Sequence, residues 1–360
     1  MMRARKIALV ASTLATALAL TGCSLAGDDT AADESSPQET GATAGGEVVL
    51  QTHGSFSLPD DLVAAWEEET GYELTVRSGG DAGVLASKIS LTAGNPTGDA
   101  VYGIDNTFAS RPVEAGALAP YEPSSAPPEE YDLDEGADVL TPVDTANVCV
   151  NVDTAWFEDK GQQPPAVLED LTDPAYKGMF VVPAASSSSP GMAFFLATLA
   201  AFGDEGWKDY WTDLLANDTK IVKGWDDAYF TDFTGGGNKS ARRPIVVSYD
   251  SSPAFTVKGG RTTTAALLDT CFRQVEYAGV LAGAKNPAGA EALIDWLVSD
   301  EVQAALPESM YVFPVSPSAE LPEDWARFAR QPETPYEVSA ADIEANRDAW
   351  LTEWTDVTTR

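Results

Sequence analysis

The sequence is poor in the residues on which many enzymes depend. It contains one histidine, His53, and three cysteines among 360 residues. A metal site built from several histidines is therefore excluded, and so is a Ser-His-Asp triad that does not use His53. The chain also has no GxSxG, Walker A or strand-linked GxGxxG motif, so the usual hydrolase, P-loop and dinucleotide-binding signatures are missing.

Basic residues are also few. Lys and Arg total 22 against 56 Asp and Glu, which gives a net charge of −34. Such a chain repels nucleic acid and anionic membrane surfaces, so we expect no nucleic-acid partner. We interpret most of this charge as a solubility feature. Steering of a cationic ligand is a secondary effect, because physiological salt screens charges beyond about 8 Å.

Long hydrophobic runs are limited to one, near the start of the chain. Basic residues precede an apolar run over 7–20 that is short for a membrane span. It ends in LTGC at 20–23, which resembles a bacterial lipobox, where cleavage before the cysteine is followed by lipid attachment. We therefore expect 1–22 to be a signal peptide and Cys23 to anchor an exported protein in the outer face of the cell membrane. The alternative is a plain secretory signal with a chance cysteine.

The segment from Cys23 to residue 46 is small, polar and acidic. It has too little apolar surface to bury, so we expect a disordered tether with a reach of roughly 25 Å.

The remainder alternates β-type runs with amphipathic segments. Strands over 48–52, 73–77 and 100–104, with helices over 59–69 and 84–92, predict a β-α-β-α-β start and hence a parallel sheet. Further strands are expected over 147–152, 179–182, 220–223, 245–249 and 271–280, and further helices over 192–202, 206–217, 287–298 and 340–354. The length suits two α/β units.

Cys149 and Cys271 are the two cysteines besides Cys23. Both lie on predicted strands where the chain passes between the two units, and an exported chain permits disulfides, so we expect them to pair. Closing a loop of about 120 residues stabilises by roughly 4–5 kcal/mol in the chain-entropy view. The alternative is two buried free thiols, which titration of the denatured, unreduced protein distinguishes.

Aromatic and polar residues follow two of the predicted strands. Trp225 follows one, while Tyr249, Ser251 and Ser252 end the other. Ligands in open α/β sheets lie beyond the carboxyl ends of strands, and a ring face attracts a cation by roughly 0.5–2 kcal/mol. The pattern indicates a flat cationic small molecule held between Trp225 and Tyr249. The alternative is that both rings are core side chains.

Three other segments carry candidate binding residues. Asp105 ends the third strand, where its carboxylate faces a ligand or caps the next helix. A run of serines before the apolar helix offers hydroxyls and backbone N–H groups that suit a phosphate or a hydroxyl, unless Ser189 simply caps that helix. The candidates there are Ser188, Ser189 and Gly191. His53 follows the first strand without a nucleophile to activate. Tyr311 and Phe313 form an aromatic pair after a predicted helix, and the alternatives are that they pack in the core or that one of them closes the cleft as a stacking wall.

Several motifs together resemble one family. They are GIDN at 103–106, KGWDDAY at 223–229, VVSYDSSPA at 246–254 and QVEYAGVLAGAKNP at 274–287. They are similar to segments of the thiamine-binding subunits of bacterial ABC importers, which are type 2 solute-binding proteins, and the resemblance covers nearly all of 47–360.

The resemblance implies an α/β fold of two lobes, each a mainly parallel sheet flanked by helices, joined by crossing hinge strands and closing over ligand. The implied lobes are 47–145 with 275–312, and 146–274 with 313–360. The implied function is capture of thiamine or a thiamine phosphate and its delivery to an ABC permease, by a monomer without enzymatic activity, cofactor or metal.

The resemblance also implies residue roles. It makes Trp225 and Tyr249 ring contacts, Asp105 the cleft acid, and Ser188 with its neighbours the receiver of the hydroxyethyl or phosphate end. The family often has Tyr where this chain has His53 and Trp where it has Tyr311. These departures leave the pyrimidine-side contact open, and with it a thiamine precursor as ligand.

Two other functions remain open from the residues. A polyamine binder needs several carboxylates along the cleft, and only Asp105 is placed there with assurance. Three further acids are uncertain: Asp226, Asp227 and Asp250. A pyrimidine-processing enzyme on the same scaffold would need a cysteine nucleophile, but Cys149 and Cys271 lie on strands rather than at strand ends. Iron binding is disfavoured because Tyr249 is followed by Asp250 and not by a second tyrosine.

Overall fold

The computed structural model describes residues 45–133 and 135–359, and within them ten strands form one sheet. The expected signal peptide, Cys23 and the expected tether up to residue 44 lie outside the described residues. The tether's last two residues are described, and Gly46 already belongs to the first strand.

The strands and helices occupy the following ranges. The strands are β1 (Gly46–Thr52), β2 (Tyr72–Ser78), β3 (Ala100–Asp105), β4 (Leu118–Ala119), β5 (Thr141–Asp153), β6 (Phe180–Pro183), β7 (Lys220–Val222), β8 (Ile245–Tyr249), β9 (Thr264–Leu281) and β10 (Phe313–Pro314). The helices are α1 (Asp60–Thr70), α2 (Ala82–Leu91), α3 (Ser110–Glu114), α4 (Thr154–Lys160), α5 (Ser189–Ala216), α6 (Ser252–Phe255), α7 (Pro287–Leu297), α8 (Asp300–Ser309), α9 (Glu323–Phe328) and α10 (Ala340–Thr358). A π-helical turn covers Asp227–Asp232.

The sheet contains two parallel groups of strands. One group is β2-β1-β3 and the other is β8-β6-β7. Between them lie β9 and β5, which run antiparallel to each other and to their outer neighbours β3 and β8. The predicted β-α-β-α-β start is confirmed, and so is the α/β fold class with two mainly parallel groups joined by shared strands.

The shared strands are longer than the sequence pattern indicates. β5 has 13 residues and β9 has 18, whereas strands were expected only over 147–152 and 271–280. At about 3.3 Å per residue, β9 spans roughly 60 Å and can pair with β5 over most of its length and with β3 at its end. Because the sheet runs through without interruption, the expected lobe boundaries remain a prediction.

A disulfide joins the two shared strands, in the pairing expected from the sequence. Cys149 on β5 bonds Cys271 on β9, 122 residues away, and both are fully buried. The strand register shifts beside this bond, and the backbone N–H of Val150 donates to the side-chain oxygen Oγ1 of Thr270 on β9 at 2.9 Å. The disulfide therefore lies at the larger of the two register shifts between β5 and β9.

The apolar segment forms two helices, as expected, and the range given for α5 covers both. The first helix begins at Ser189, three residues earlier than expected. A kink at Gly203, whose φ of 70° and ψ of 177° are non-helical, separates it from the second. Phe194 and Trp211 on α5 belong to the largest hydrophobic cluster, which also contains strand residues of β5, β6 and β8.

A second hydrophobic cluster forms around the other parallel group. It includes Trp66 of α1 and Trp296 of α7, whose ring centroids are 5.5 Å apart. Tyr249 packs against both clusters, so its ring lies where they meet. In the part of the chain that the structure describes, no helix combines the length and apolar character needed to cross a membrane.

Candidate ligand-binding site

A cavity of about 720 Å³ is lined by residues that follow β1 and β2 and by residues that follow β7 and β8. Its size falls within the range of roughly 300–1,000 Å³ typical of small-molecule sites, and its position is at the carboxyl ends of strands, as expected for an open α/β sheet. Seven of the ten predicted ligand-binding residues line it: His53, Ser189, Trp225, Tyr249, Ser251, Ser252 and Tyr311.

One side of the cavity consists of aromatic rings, here called the aromatic wall. Its members are Trp225, Tyr229, Phe230, Tyr249, Phe255 and Tyr311. Trp225 stacks on Tyr229 with ring centroids 5.1 Å apart, and its Nε1 donates to Ser248 Oγ at 2.9 Å. These two contacts fix the orientation of the indole, which lines the cavity.

The expected sandwich between Trp225 and Tyr249 is not available in this conformation. Their ring centroids are 5.9 Å apart and the rings are tilted by 56°. A third ring between them would need about 7 Å, twice the usual carbon–carbon contact distance of about 3.5 Å. The two rings therefore present a joint surface to a ligand instead of two opposing faces.

The two serines after β8 support this wall. Ser251 Oγ donates to the backbone oxygen of Tyr311 at 2.6 Å, and Ser252 Oγ accepts from the backbone N–H of Tyr249 at 3.1 Å. Tyr311 has a φ of 57°, a left-handed conformation that residues with a Cβ rarely adopt. The bond from Ser251 thus holds the backbone that aims the Tyr311 ring at the cavity.

The prediction that the Asp105 carboxylate faces a ligand requires a correction, because Asp105 is not among the residues that line the cavity. It is fully buried, and its carboxylate accepts hydrogen bonds from the hydroxyls of Ser189 and Thr107. Burial raises its pKa to about 7, although these hydrogen bonds act in the opposite direction. Asp105 lies one layer behind the surface and positions Ser189, which does line the cavity.

Ser188 and Gly191 also lie behind the cavity surface. Ser188 is fully buried. A Cβ on Gly191 would approach the backbone oxygens of Pro183 and Ala184 at 2.5 and 2.6 Å, well inside contact distance. Glycine is therefore required there for the close packing of α5 on the end of β6, a structural reason that is separate from ligand contact.

Asp81 is a lining acid that the sequence analysis missed. Its Oδ1 accepts from the backbone N–H groups of Ala82 at 2.7 Å and Ser189 at 3.3 Å, and its Oδ2 accepts from that of Trp225 at 2.9 Å. One carboxylate thus caps α2 and also accepts hydrogen bonds from the first residue of α5 and from Trp225, which precedes the π-helical turn. It connects residues that follow β2 with residues that follow β6 and β7.

Glu276 and His53 form a second polar group in the cavity. The backbone N–H of Ser55 donates to His53 Nδ1 at 3.2 Å, which places the proton of the neutral ring on Nε2. Nε2 lies 3.4 Å from Glu276 Oε2, and Gln274 Nε2 donates to the other carboxylate oxygen at 3.1 Å. Burial is the largest single influence on the pKa of His53 and lowers it, but Glu276, Asp81 and Asp226 together outweigh burial and raise the pKa above its ordinary value.

Two further acids and one base complete the lining. Asp226 accepts from Ser55 Oγ at 3.3 Å, and partial burial raises its pKa. Asp227 and Lys223 line the cavity beside it. The described lining therefore carries four carboxylates and one ammonium group, and across the residues that the structure describes no three His, Cys, Asp or Glu side chains cluster as metal ligands.

Both missed acids carry a recognisable signal. Asp81 directly follows Gly79-Gly80 after β2 and caps α2, so the strand-end rule applied to Asp105 applies to it as well. Glu276 is a charged residue inside the apolar run of β9, and buried carboxylates are rare unless paired or functional. The sequence shows both features but not that the two residues share one cavity.

This arrangement suits binding of an organic cation without covalent chemistry. Four carboxylates attract a positive charge, and the aromatic wall adds cation–π and stacking contacts. Neither Cys149 nor Cys271 lines the cavity, and both sulfurs are in the disulfide, so these two residues offer no thiol nucleophile.

Comparison with known proteins agrees with this geometry. The family model described as bacterial extracellular solute-binding protein matches residues 95–331, more than half of the chain. The thiamine-binding periplasmic protein of Escherichia coli (strain K12) is 25% identical over 316 residues, which cover 85% of this chain and 92% of that protein.

Solved structures show the same fold. A periplasmic thiamin binding protein superposes with a TM-score of 0.75 at 24% identity, covering 87% of this chain and 96% of that one. Iron-bound HitA from Pseudomonas aeruginosa superposes with a TM-score of 0.67 at 21% identity, covering 86% and 99%. These relatives are binding proteins rather than enzymes. With its family match, its type 2 periplasmic-binding-protein fold and its strand-end cavity, the chain belongs to the bacterial extracellular solute-binding proteins.

Proposed function

We propose that this protein captures thiamine or a thiamine phosphate outside the cytoplasm and delivers it to an ABC permease. The observation that carries the proposal is the joint lining of one cavity by four carboxylates and the aromatic wall. Relatives named as thiamine-binding periplasmic proteins, including those of Escherichia coli and Salmonella typhimurium, support it.

The chemistry of thiamine fits the cavity group by group. Its thiazolium carries a permanent positive charge, which Glu276 and Asp226 can neutralise. Its aminopyrimidine can stack on the aromatic wall and donate from its amino group to a carboxylate. Both interactions strengthen when a closing cleft removes water from the ligand.

The anchoring and closure of the protein are parts of the same proposal. A lipid on Cys23 would hold a monomer at the outer face of the membrane, and the tether over 24–46 would let it reach the permease. The expected lobes, 47–145 with 275–312 and 146–274 with 313–360, would close over the ligand by bending β5 and β9.

Isothermal titration calorimetry with thiamine tests this proposal. We expect a dissociation constant below about 10 µM, as suits a protein that scavenges a dilute nutrient. Absence of binding at that level would overturn it. Native mass spectrometry of protein purified from cells provides an independent readout, since the bound ligand is identified by its mass.

A polyamine is the second candidate, and one observation favours it more than the sequence did. The cavity contains four acids rather than one, and polyamine ammonium groups need several separated carboxylates. Competition between spermidine and thiamine separates the two candidates. Displacement of spermidine by micromolar thiamine supports the first, whereas spermidine binding that thiamine leaves unaffected supports the second.

A further inference from the structure

The last helix, α10, contacts helices of both parallel strand groups. It packs on α5, which lies between β6 and β7 in the chain, and on α3, which follows β3. None of its residues, all of which the structure describes, lines the cavity. α10 therefore connects the β8-β6-β7 group with the β2-β1-β3 group from outside the site.

The attachment of α10 to α5 is mostly apolar. Trp354 meets Trp211 edge to face, with ring centroids 5.4 Å apart, and Ile343 is buried in the same hydrophobic cluster. Lys208 of α5 adds an exposed ion pair to Glu353, with Nζ and Oε2 3.0 Å apart. We therefore expect α10 to follow α5 in any movement of the β8-β6-β7 group.

The contact of α10 with α3 is polar. Arg347 Nη1 donates to Ser110 Oγ at 2.7 Å, and Arg111 Nη2 donates to Asp348 Oδ1 at 2.9 Å. The side chains of Arg111 and Asp348 are 34% and 79% exposed, and both border an open groove of about 490 Å³. The Arg111–Asp348 pair therefore favours the contact, but only weakly, because solvent screens its attraction.

Burial of Arg347 opposes the same contact. The residue is 3% exposed, its Nε has no hydrogen-bond partner, and Asp348 Oδ1 lies 3.8 Å from that nitrogen. Burial and the positive charge of Arg111 lower the pKa of Arg347, although Asp348, Glu114 and Glu344 act in the opposite direction. The surroundings thus disfavour the charged guanidinium relative to water, and separation of α3 from α10 would return it to water.

Both sides of the cavity meet in this arrangement. Asp81, which follows β2, accepts from the backbone N–H groups of Ser189 and Trp225, which follow β6 and β7. Ser55, which follows β1, donates to Asp226 at 3.3 Å. Bending of β5 and β9 that separates these residues also moves α3 relative to α10.

We propose that α10 is a strap that holds the two strand groups in this closed arrangement, in which the Arg111–Asp348 pair favours closure and the buried Arg347 keeps closure reversible. A protein whose binding-competent arrangement is only partly populated binds with an affinity reduced by that fraction. The strap therefore sets ligand affinity without contact to the ligand. The inference rests on the proposed function only where thiamine is the probe.

Calorimetry with thiamine tests the favourable half of the strap. Asp348→Asn removes the charge that faces Arg111 and should weaken thiamine binding about two- to fivefold. Glu353→Gln is the matched control, since it removes a carboxylate from an exposed ion pair of the same helix that joins α10 to α5 within one strand group. Its affinity should equal that of the wild type.

Arg347→Met tests the opposing half. Methionine keeps an apolar side chain of similar length without a charge to bury, so the closed arrangement is favoured more. Thiamine should bind about two- to tenfold more tightly, with most of the change in a slower dissociation rate measured by stopped-flow fluorescence.

Amide hydrogen exchange of the ligand-free protein reads the arrangement without thiamine. The backbone N–H of Trp225 is bonded across the cavity to Asp81, so it exchanges when the two sides separate. By mass spectrometry, peptides that contain Trp225 should exchange faster than wild type in Asp348→Asn, slower in Arg347→Met and at the same rate in Glu353→Gln.

The outcomes separate the inference from the proposed function. Equal exchange and equal affinity in the wild type and all three variants overturn the inference and leave the proposed function standing. If the wild type does not bind thiamine, the proposed function fails and the exchange rates alone decide the inference. Equal losses in Asp348→Asn and Glu353→Gln would assign the effect to net charge and overturn the strap. Faster exchange in Arg347→Met overturns the role given to Arg347, and if that variant does not fold, the other two decide the strap.

Discussion

The two sides of the cavity differ in how directly the predicted residues reach it. On the side of β7 and β8, Trp225 and Tyr249 follow or end their strands and line the cavity. On the side of β3 and α5, Asp105 and Gly191 occupy equivalent strand-end segments but lie one layer behind the surface. A position at a strand end therefore identifies a segment near the ligand. Whether its side chain reaches the cavity surface depends on which element packs over that segment.

Helix packing explains this difference. The first turn of α5 rests on the end of β6, as the crowding around Gly191 indicates. It covers Asp105, which then serves as an acceptor for Ser189. Trp225 is followed only by a six-residue π-helical turn, so its ring remains at the cavity surface.

The largest expected effect is on ligand affinity and concerns Trp225, on the β7 and β8 side of the cavity. Trp225→Ala should weaken thiamine binding by a factor of about 100 to 1,000, equivalent to about 3–4 kcal/mol, because it removes a ring surface and the hydrogen bond that Nε1 donates to Ser248. Titration calorimetry measures it. The variant also removes the stacking partner of Tyr229.

Trp225→Phe is the matched control, since it keeps an aromatic face and loses only the indole N–H and part of the area. It should retain most of the affinity. If both variants bind thiamine as tightly as the wild type, Trp225 is a core residue, and the conclusion that residues on the β7 and β8 side contact the ligand is wrong.

The second effect concerns the stability of the folded protein and arises on the β3 and α5 side of the cavity. Asp105 has a folded-state pKa raised to about 7, against about 3.9 for an unfolded aspartate. Between these values the folded protein keeps a proton that the unfolded chain releases, so stability falls as pH rises from about 4 to 7. Asp105→Asn should remove this part of the pH dependence, about 2–3 kcal/mol. Urea denaturation at pH 5 and pH 8 measures it.

Other buried acids titrate in the same range, so the informative quantity is the difference between wild type and variant. Asp250 also has its pKa raised to about 7 by burial and provides a reference through Asp250→Asn. Thiamine affinity of Asp105→Asn should change by less than about tenfold. A much larger loss of affinity with unchanged stability would place Asp105 in contact with the ligand after all.

The third effect tests packing alone. Gly191→Ala forces a Cβ toward two backbone oxygens and should lower the free energy of unfolding by about 1–2 kcal/mol, even though alanine favours helices. Gly206→Ala in the second part of α5, beyond the kink at Gly203, meets only Phe202 Cβ at 3.2 Å and should be neutral or stabilising. Denaturant unfolding compares them. Equal effects of the two variants would show that the start of α5 is not tightly seated on β6.

The sequence predicted most of the fold and part of the site for identifiable reasons. Periodic apolar runs predicted β1, α1, β2 and α2 to within three residues at each end. The full length of β9 was not predictable, because its first half reads TAALLDT without strict alternation and its pairing with β5 shifts register between Leu267 and Phe272. Asp81 and Glu276 were missed as a pair, since 195 positions separate them and only the fold brings them to one cavity.

The smallest expected effect is the pH dependence of thiamine affinity, which we attribute to His53 at the end of β1. His53 adjoins Glu276, and its pKa is raised because the neighbouring acids outweigh the effect of burial. Below that pKa, protonated His53 neutralises Glu276 and repels a bound cation. Thiamine affinity should therefore rise about three- to tenfold as pH increases through the pKa of His53. Calorimetry across pH 5.5–8.5 measures this rise.

The chain contains a single histidine, so its ring signal in a proton NMR spectrum reports this titration without overlap. Bound thiamine should lower the pKa read from that signal, because binding of a cation and binding of a proton oppose each other near Glu276. Asp226 lies nearby with a raised pKa and also favours cation binding as pH rises, so His53→Gln must be compared with the wild type over the same range. The variant should show a shallower rise in affinity with pH. Identical pH profiles for wild type and variant, with no shift of the histidine signal on binding, would mean that His53 is a wall residue without influence on the charge of the site.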